Sequence, residues 1–388
     1  MITHEHDQTR PSLRHRILAR PGGRRTGLFV GMLAIVVLLC VLGLVMVMSA
    51  SSVVGLYQFG SSWYFVKRQG AWLLVGLVVL VITMRIDYRV WRRLATPVLV
   101  GSTVLLVLVL VPGVGREVYG STRWLGYGPV QIQPSEFAKI GLILFAADLL
   151  ARRADRIRDL QITMKPVAIV TGAVAGLVLL QPNLGTTMVI GAIVVAMLFV
   201  AGTPLLPLSG LTLGSGVVAF GLAVAAPYRR ARVLAFRDPW SDPLDTGYQT
   251  IQSLVGIAQG GLAGVGLGAS RSKWGFLPFA HTDFVFAIIA EEAGLIGAGL
   301  VVALFVALAW LGILTAMRAP DAFGMLLAAG ITTWLCVQAF VNIGAVIGIL
   351  PVTGVPLPFV SFGGSALLAT MAATGILLNV ARHAHRAR

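Results

Sequence analysis

From residue 28 onward the chain repeats one pattern: a long run of apolar residues, a short polar or arginine-rich interval, then another apolar run. The runs fall at 28–48, 70–84, 95–112, 134–150, 165–181, 185–203, 208–227, 284–316, 322–349 and 362–380. Many of them approach the roughly 20 residues that carry a helix across about 30 Å of hydrocarbon. Barrel strands would alternate polar and apolar positions and stop after about 10 residues, so helices are expected. The pattern predicts an all-α integral membrane protein of about ten transmembrane helices. A basic tail at 1–27, a membrane domain at 28–380 and a short tail at 381–388 follow from it. The first run is too long for a signal peptide and lacks a small-residue cleavage site, so it reads as a retained span.

Composition agrees with a membrane setting. Of 388 residues, 57% are hydrophobic and only 12% charged, too few to wet the surface of a soluble domain. A net charge of +15 would point to nucleic acid in a soluble chain, but here its placement sets orientation instead. Arg10, Arg14, Arg16, Arg20, Arg24 and Arg25 precede span one, and Arg85, Arg89, Arg92 and Arg93 follow span two. Arg152, Arg153, Arg156 and Arg158 follow span four, and Arg382, Arg386 and Arg388 end the chain. An even number of spans puts all of these on one side, with both termini cytoplasmic. Cys40 and Cys336 sit mid-run in separate spans and read as small buried apolar residues.

The outward segments break the usual bias. Lys67, Arg68, Arg116, Arg123, Arg229, Arg230, Arg232, Arg237, Arg271 and Lys273 face Glu117, Asp238, Asp242, Asp245 and Asp283 there. That excess of cations suits a phosphate or an anionic headgroup, although snorkelling explains any single arginine equally well. The longest interval, 228–282 between spans seven and eight, is the large extracytoplasmic loop. It holds Gly260, Gly261, Gly264, Gly266 and Gly268 without the spacing of a nucleotide-binding fingerprint. Close backbone packing is the expected use of these glycines, and short interfacial or re-entrant helices are expected around them.

A few ionisable residues remain in or beside hydrocarbon, where their cost makes them functional candidates. Glu136 and Lys139 stand one turn apart on span four, after Pro134 at the helix start. They read either as a structural ion pair or as the lining of a substrate cavity. Asp283 opens span eight, with Glu291 and Glu292 about 12 Å deeper along it. Its carboxylate suits a helix N-cap and also a general base held ionised by the dipole. The segment from Leu350 to Ser365 carries three prolines and cannot be a straight helix. Irregular backbone at membrane depth needs protein or a water-filled cavity around it, so this segment reads as a re-entrant cavity wall.

Several segments in register resemble the SEDS family of FtsW/RodA-type peptidoglycan polymerases. They are Arg123-Trp124-Leu125, Gln133-Pro134-Ser135-Glu136 with Lys139, Gln181-Pro182-Asn183-Leu184-Gly185-Thr186, and Asp238-Pro239-Trp240. Gly247-Tyr248-Gln249 with Gln252-Ser253, Ala280-His281-Thr282-Asp283-Phe284 and the stretch Pro351–Ser365 complete the set, which spans nearly the whole chain. The run Tyr228–Val233 and the short Gly266–Ser270 look closer to the division branch than to the elongation branch. Phe279, Asn183 and Phe362 depart from residues common in the family, which removes a charged role at the first two.

The resemblance implies glycosyl transfer on the outer face of the bacterial cytoplasmic membrane, polymerising lipid II onto a growing lipid-linked glycan chain. It implies Asp283 as the catalytic base and a substrate-binding set of Arg123, Glu136, Lys139, Arg229, Arg271, Lys273, His281 and Ser361. Because the leaving group is a diphosphate, one base and balancing cations suffice. No dedicated metal-ligand cluster is visible, though Mg2+ or Mn2+ could assist the diphosphate. A class B penicillin-binding protein and other division-complex membrane proteins are the implied partners. Two other readings stay open: a flippase for the lipid-linked precursor, and a scaffold that recruits the transpeptidase.

Overall fold

The computed structural model describes residues 26–118, 121–126, 131–225, 230–231 and 235–384. Ten helices of 17 residues or more run through them. They are α1 (Gly27–Phe59), α2 (Tyr64–Arg85), α3 (Tyr88–Leu110), α4 (Pro134–Arg152), α5 (Met164–Leu180), α6 (Leu184–Val200), α7 (Leu205–Ala225), α9 (Val285–Met317), α10 (Ala322–Val346) and α11 (Gly364–His383). Seven are long and apolar enough to cross a membrane. The other three are α5 and α6, apolar but only 17 residues each, and α4, which carries Glu136, Lys139, Asp148 and Arg152. The chain is a multi-pass membrane protein.

Local signals set the helix ends. Thr26, Asp87, Asn183 and Asp321 each accept a backbone N–H from the first turn that follows them, which satisfies an otherwise orphaned donor. Pro134 occupies the first turn of α4, as its missing N–H allows. Gly60, in the left-handed region, closes α1. One element escaped the hydrophobic pattern: an antiparallel hairpin of β1 (Arg116–Val118) and β2 (Ser121–Trp124) interrupts the helices between α3 and α4. Strands of three and four residues are too short to show alternation.

Helices α10 and α11 form the centre, with most of their residues buried. Helix α11 packs along α2, α3 along α4, and α10 against α6 and α9. Helix α7 stands at the rim, touching α6 and largely exposed.

The long loop folds into short pieces, as expected: α8 (Tyr248–Gly260) and single turns at Pro239–Ser241 and Ser272–Trp274. Its glycines dock backbone against backbone. Helix α9 is broken at Gly294, whose φ of 66° and ψ of −165° are not helical. The loop supplies the missing bonds. Val265 and Gly266 donate to the carbonyls of Glu291 and Glu292 at 3.0 and 3.1 Å, and Leu295 donates to Gly261 at 2.9 Å. A Cβ at Gly264 would lie 2.1 Å from the Glu292 carbonyl oxygen, and the residue sits at φ +84°. No side chain fits there. Gly264→Ala should therefore destabilise the protein by about 1–3 kcal/mol or more. Gly216→Ala, on the open face of α7 with nothing within 4 Å, should leave the melting temperature unchanged or slightly raised. Thermal unfolding in one detergent checks both.

Candidate active site

The irregular segment between α10 and α11 is the wall of the site, and polar side chains of the helix before it hold it in place. Gln338 and Asn342 lie four residues apart on α10, hence on one face. The Gln338 amide donates to the Pro356 carbonyl at 2.9 Å. The Asn342 amide donates to the carbonyls of Val355 and Asp283, both at 2.8 Å. One amide thus ties the wall to the start of α9. From α2, Gln69 donates to the Ser361 carbonyl at 3.2 Å. The Phe362 N–H donates to the His281 carbonyl at 3.0 Å. Sequence reasoning missed Gln338, Asn342 and Gln69. Two amides at helical spacing in an apolar run were the available signal.

Asp283 is half-buried at the mouth of this wall. Phe284, not Asp283, holds the N-cap position of α9. Gly354 turns the wall back at φ +70°, and a Cβ there would lie 3.6 Å from Asp283 Oδ2. The carboxylate thus sits against the turn, with main-chain support from Asn342.

The other expected site residues divide by what already holds them. His281 packs its ring on Phe65 at 4.5 Å and Phe362 at 5.7 Å between centroids. Burial lowers its pKa to about 4, so at neutral pH it adds no positive charge for a diphosphate. Ser361 is buried, and its hydroxyl accepts the Leu357 N–H at 2.9 Å, closing a turn of the wall. Lys139 is fully buried, with its ammonium 2.9 Å from Glu136 Oε1 and 2.7 Å from Gln338 Oε1. It also lies 4.6 Å over the Trp334 ring. The Glu136–Lys139 pair therefore braces Gln338, and through it the wall, from behind.

Two of the expected cations are held elsewhere. Arg123 donates to the carbonyls of Gln181 and Pro182, fastening the hairpin to the α5–α6 turn. Lys273 is buried, donating to the Gly268 carbonyl with Glu292 3.6 Å away, so its charge is balanced inside the protein. Glu291 accepts the Ser270 hydroxyl and the Arg271 N–H, both at 2.7 Å, and Glu292 accepts the Ser49 hydroxyl at 2.5 Å. The two deep carboxylates thus anchor the loop onto α9. Arg271 keeps an exposed side chain. Arg229 and Arg232 lie outside the described residues. Among the described residues, no group of three or more His, Cys, Asp or Glu stands together to hold a metal.

A family model described as "Cell cycle protein", covering FtsW, RodA and SpoVE, matches residues 30–386. The chain belongs to this FtsW/RodA/SpoVE family. Within it, the chain is 42% identical over 348 residues to the "Probable peptidoglycan glycosyltransferase FtsW" of Geobacter metallireducens, covering 90% of this chain and 93% of that one. It is 43% identical over 354 residues to "Stage V sporulation protein E" of Bacillus subtilis, covering 90% and 95%. Among solved structures, a chain of a peptidoglycan synthase complex superposes with a TM-score of 0.75 at 34% identity, covering 94% of this chain and 98% of that one. The rod shape determining protein RodA of Thermus thermophilus superposes with a TM-score of 0.70 at 31% identity, covering 94% and 99%. Each of these folds thus covers 94% of the chain.

Two outcomes follow from this geometry. Glu136→Gln and Lys139→Met each strand one buried charge, and each should cost about 3–5 kcal/mol. The double change should cost clearly less than the sum of the singles, as a double-mutant cycle on thermal stability would show. His281 is the second case. Its folded pKa lies below the ordinary 6.5, so the unfolded chain binds a proton first as pH falls. Stability should therefore decline from about pH 6.5 toward pH 4 and level off below. His281→Phe should flatten that part of the stability–pH curve.

Proposed function

We propose that the chain is a peptidoglycan glycosyltransferase that polymerises lipid II on the outer face of the bacterial cytoplasmic membrane during septal wall synthesis. The observation that carries the site assignment is a half-buried carboxylate, Asp283, fixed at the mouth of a braced irregular wall. On this reading all ten long helices span, both termini are cytoplasmic, and the loop 228–282 lies outside.

The chemistry asks little of the protein beyond that carboxylate and a place for the leaving diphosphate. Asp283 takes the proton of the acceptor sugar hydroxyl, and the freed oxygen attacks the anomeric carbon of the donor. The bond from that carbon to the diphosphate oxygen breaks, and the lipid diphosphate leaves with the electron pair. A single displacement inverts the anomeric centre. On this reading the exposed guanidinium of Arg271, whose backbone N–H is held by Glu291, meets the departing charge. A divalent cation, Mg2+ or Mn2+, would find most of its ligands in diphosphate oxygens. A class B penicillin-binding protein is the proposed crosslinking partner, beside other membrane proteins of the division complex.

Asp283→Asn keeps the size of the side chain and removes its basicity. The variant should fold and melt like the parent yet lose lipid II polymerisation by about 100-fold or more. The assay belongs in detergent with the partner present, where no leaflet exists and a flippase would give no product. Glycan strands at a near-normal rate from a well-folded Asp283→Asn protein would overturn the assignment of the base.

A further inference from the structure

At the end of the molecule opposite Asp283, the ends of three helices enclose a cavity of about 290 Å³ lined by Arg89, Arg92, Ala151, Asp321, Ala322 and Phe323. Asn342, whose amide holds the Asp283 carbonyl, lies 20 residues along the unbroken α10 from Ala322, about 30 Å at 1.5 Å per residue. None of the chemistry above uses this cavity. We propose that it is a binding site for the phosphate headgroup of an anionic phospholipid of the inner leaflet. This rests on the reading that Asp283 faces outward.

Three features point to that ligand. The first is donor supply. Arg92 gives only its Nε to Asp148, at 2.8 Å, so the two terminal nitrogens of its fork have no acceptor among the described residues. A planar fork matches two oxygens of one phosphate. Asp148 is shared with Arg152 at the same distance. Asp321 is already taken by the Tyr88 hydroxyl at 2.5 Å and the Gly324 N–H at 2.7 Å, and Arg89 reaches it only at 3.5 Å. Arg89 has a second acidic neighbour in Asp87, at 3.8 Å, so the free donors of the site are the two terminal nitrogens of Arg92.

The second feature is the surrounding field. Segments 85–93, 148–158 and 318–323 carry nine arginines and four aspartates. The third is the apolar half of the lining. Ala151, Ala322 and Phe323 make a floor that a free phosphate would waste and a lipid's glycerol and first methylenes would cover. Basic pockets between helix ends on the cytoplasmic side suit this use.

The test uses the full chain in nanodiscs of phosphatidylcholine containing a minor fraction of phosphatidylglycerol, with retained lipids counted by native mass spectrometry. The parent should hold one phosphatidylglycerol molecule that Arg89→Gln/Arg92→Gln lacks. Arg92→Lys keeps a cation for Asp148 without the fork and should weaken retention about tenfold. Phosphatidylglycerol should raise the melting temperature of the parent and not of the double variant. In pure phosphatidylcholine the two proteins should polymerise alike, which controls for folding, with the double variant melting slightly lower for its lost pairing to Asp148. Equal retention by parent and double variant would overturn the proposal. So would displacement of the lipid by millimolar inorganic phosphate, which would make this a site for free anions. Retention does not depend on which way the chain faces. Orientation is read separately from Arg93→Cys, which an impermeant maleimide should label only after the membrane is opened. Labelling from outside would sink the outward reading of Asp283 and leave the retention result standing.

Discussion

Peptide groups at membrane depth must find hydrogen bonds within the protein, and the rest of this molecule is arranged around that need. Ten long helices satisfy themselves. Two places do not: the irregular wall between α10 and α11, and the break in α9 at Gly294. The wall is completed by side-chain amides, Gln338, Asn342 and Gln69, and the break by main-chain bonds from the glycine-rich loop. Each repair brings a non-helical segment to a fixed position, one beside Asp283 and the other carrying Arg271.

Buried charge serves the same end. Lys139 and Glu136 neutralise each other and hold the oxygen of Gln338, which leaves that amide nitrogen aimed at Pro356. Glu291 and Glu292 gather the N–H and hydroxyl of the loop and the ammonium of Lys273. Such pairs add little net stability, because desolvation offsets their attraction, but breaking one is costly. Their effect is to fix position. That is what a single-base transfer between two lipid-linked sugars requires, since a small misplacement of the carboxylate loses the geometry of attack.

Much of this was legible in the chain itself. Run length and apolar content fixed the helical membrane class, because hydrocarbon admits so few alternatives. Arginine placement suggested the sidedness, and the three prolines after Leu350 announced the wall. Pro134 marked the start of α4 by local chemistry alone. The glycine cluster was legible as close packing, though not which strand of backbone it met.

What the sequence left open was decided by contacts between distant segments. Asp283, a cap or a base by sequence, stands one residue before the cap position that Phe284 takes, and Asn342, 59 residues away, holds its main chain. Lys273, Arg123 and His281 looked alike as candidates for an anion. The fold spends the first on Glu292 and the second on carbonyls of the α5–α6 turn, and it buries the third neutral between two phenyl rings. Charge is visible in a sequence, but whether a charge is already paired depends on what the folded chain brings within about 4 Å of it, and only the tertiary structure supplies that.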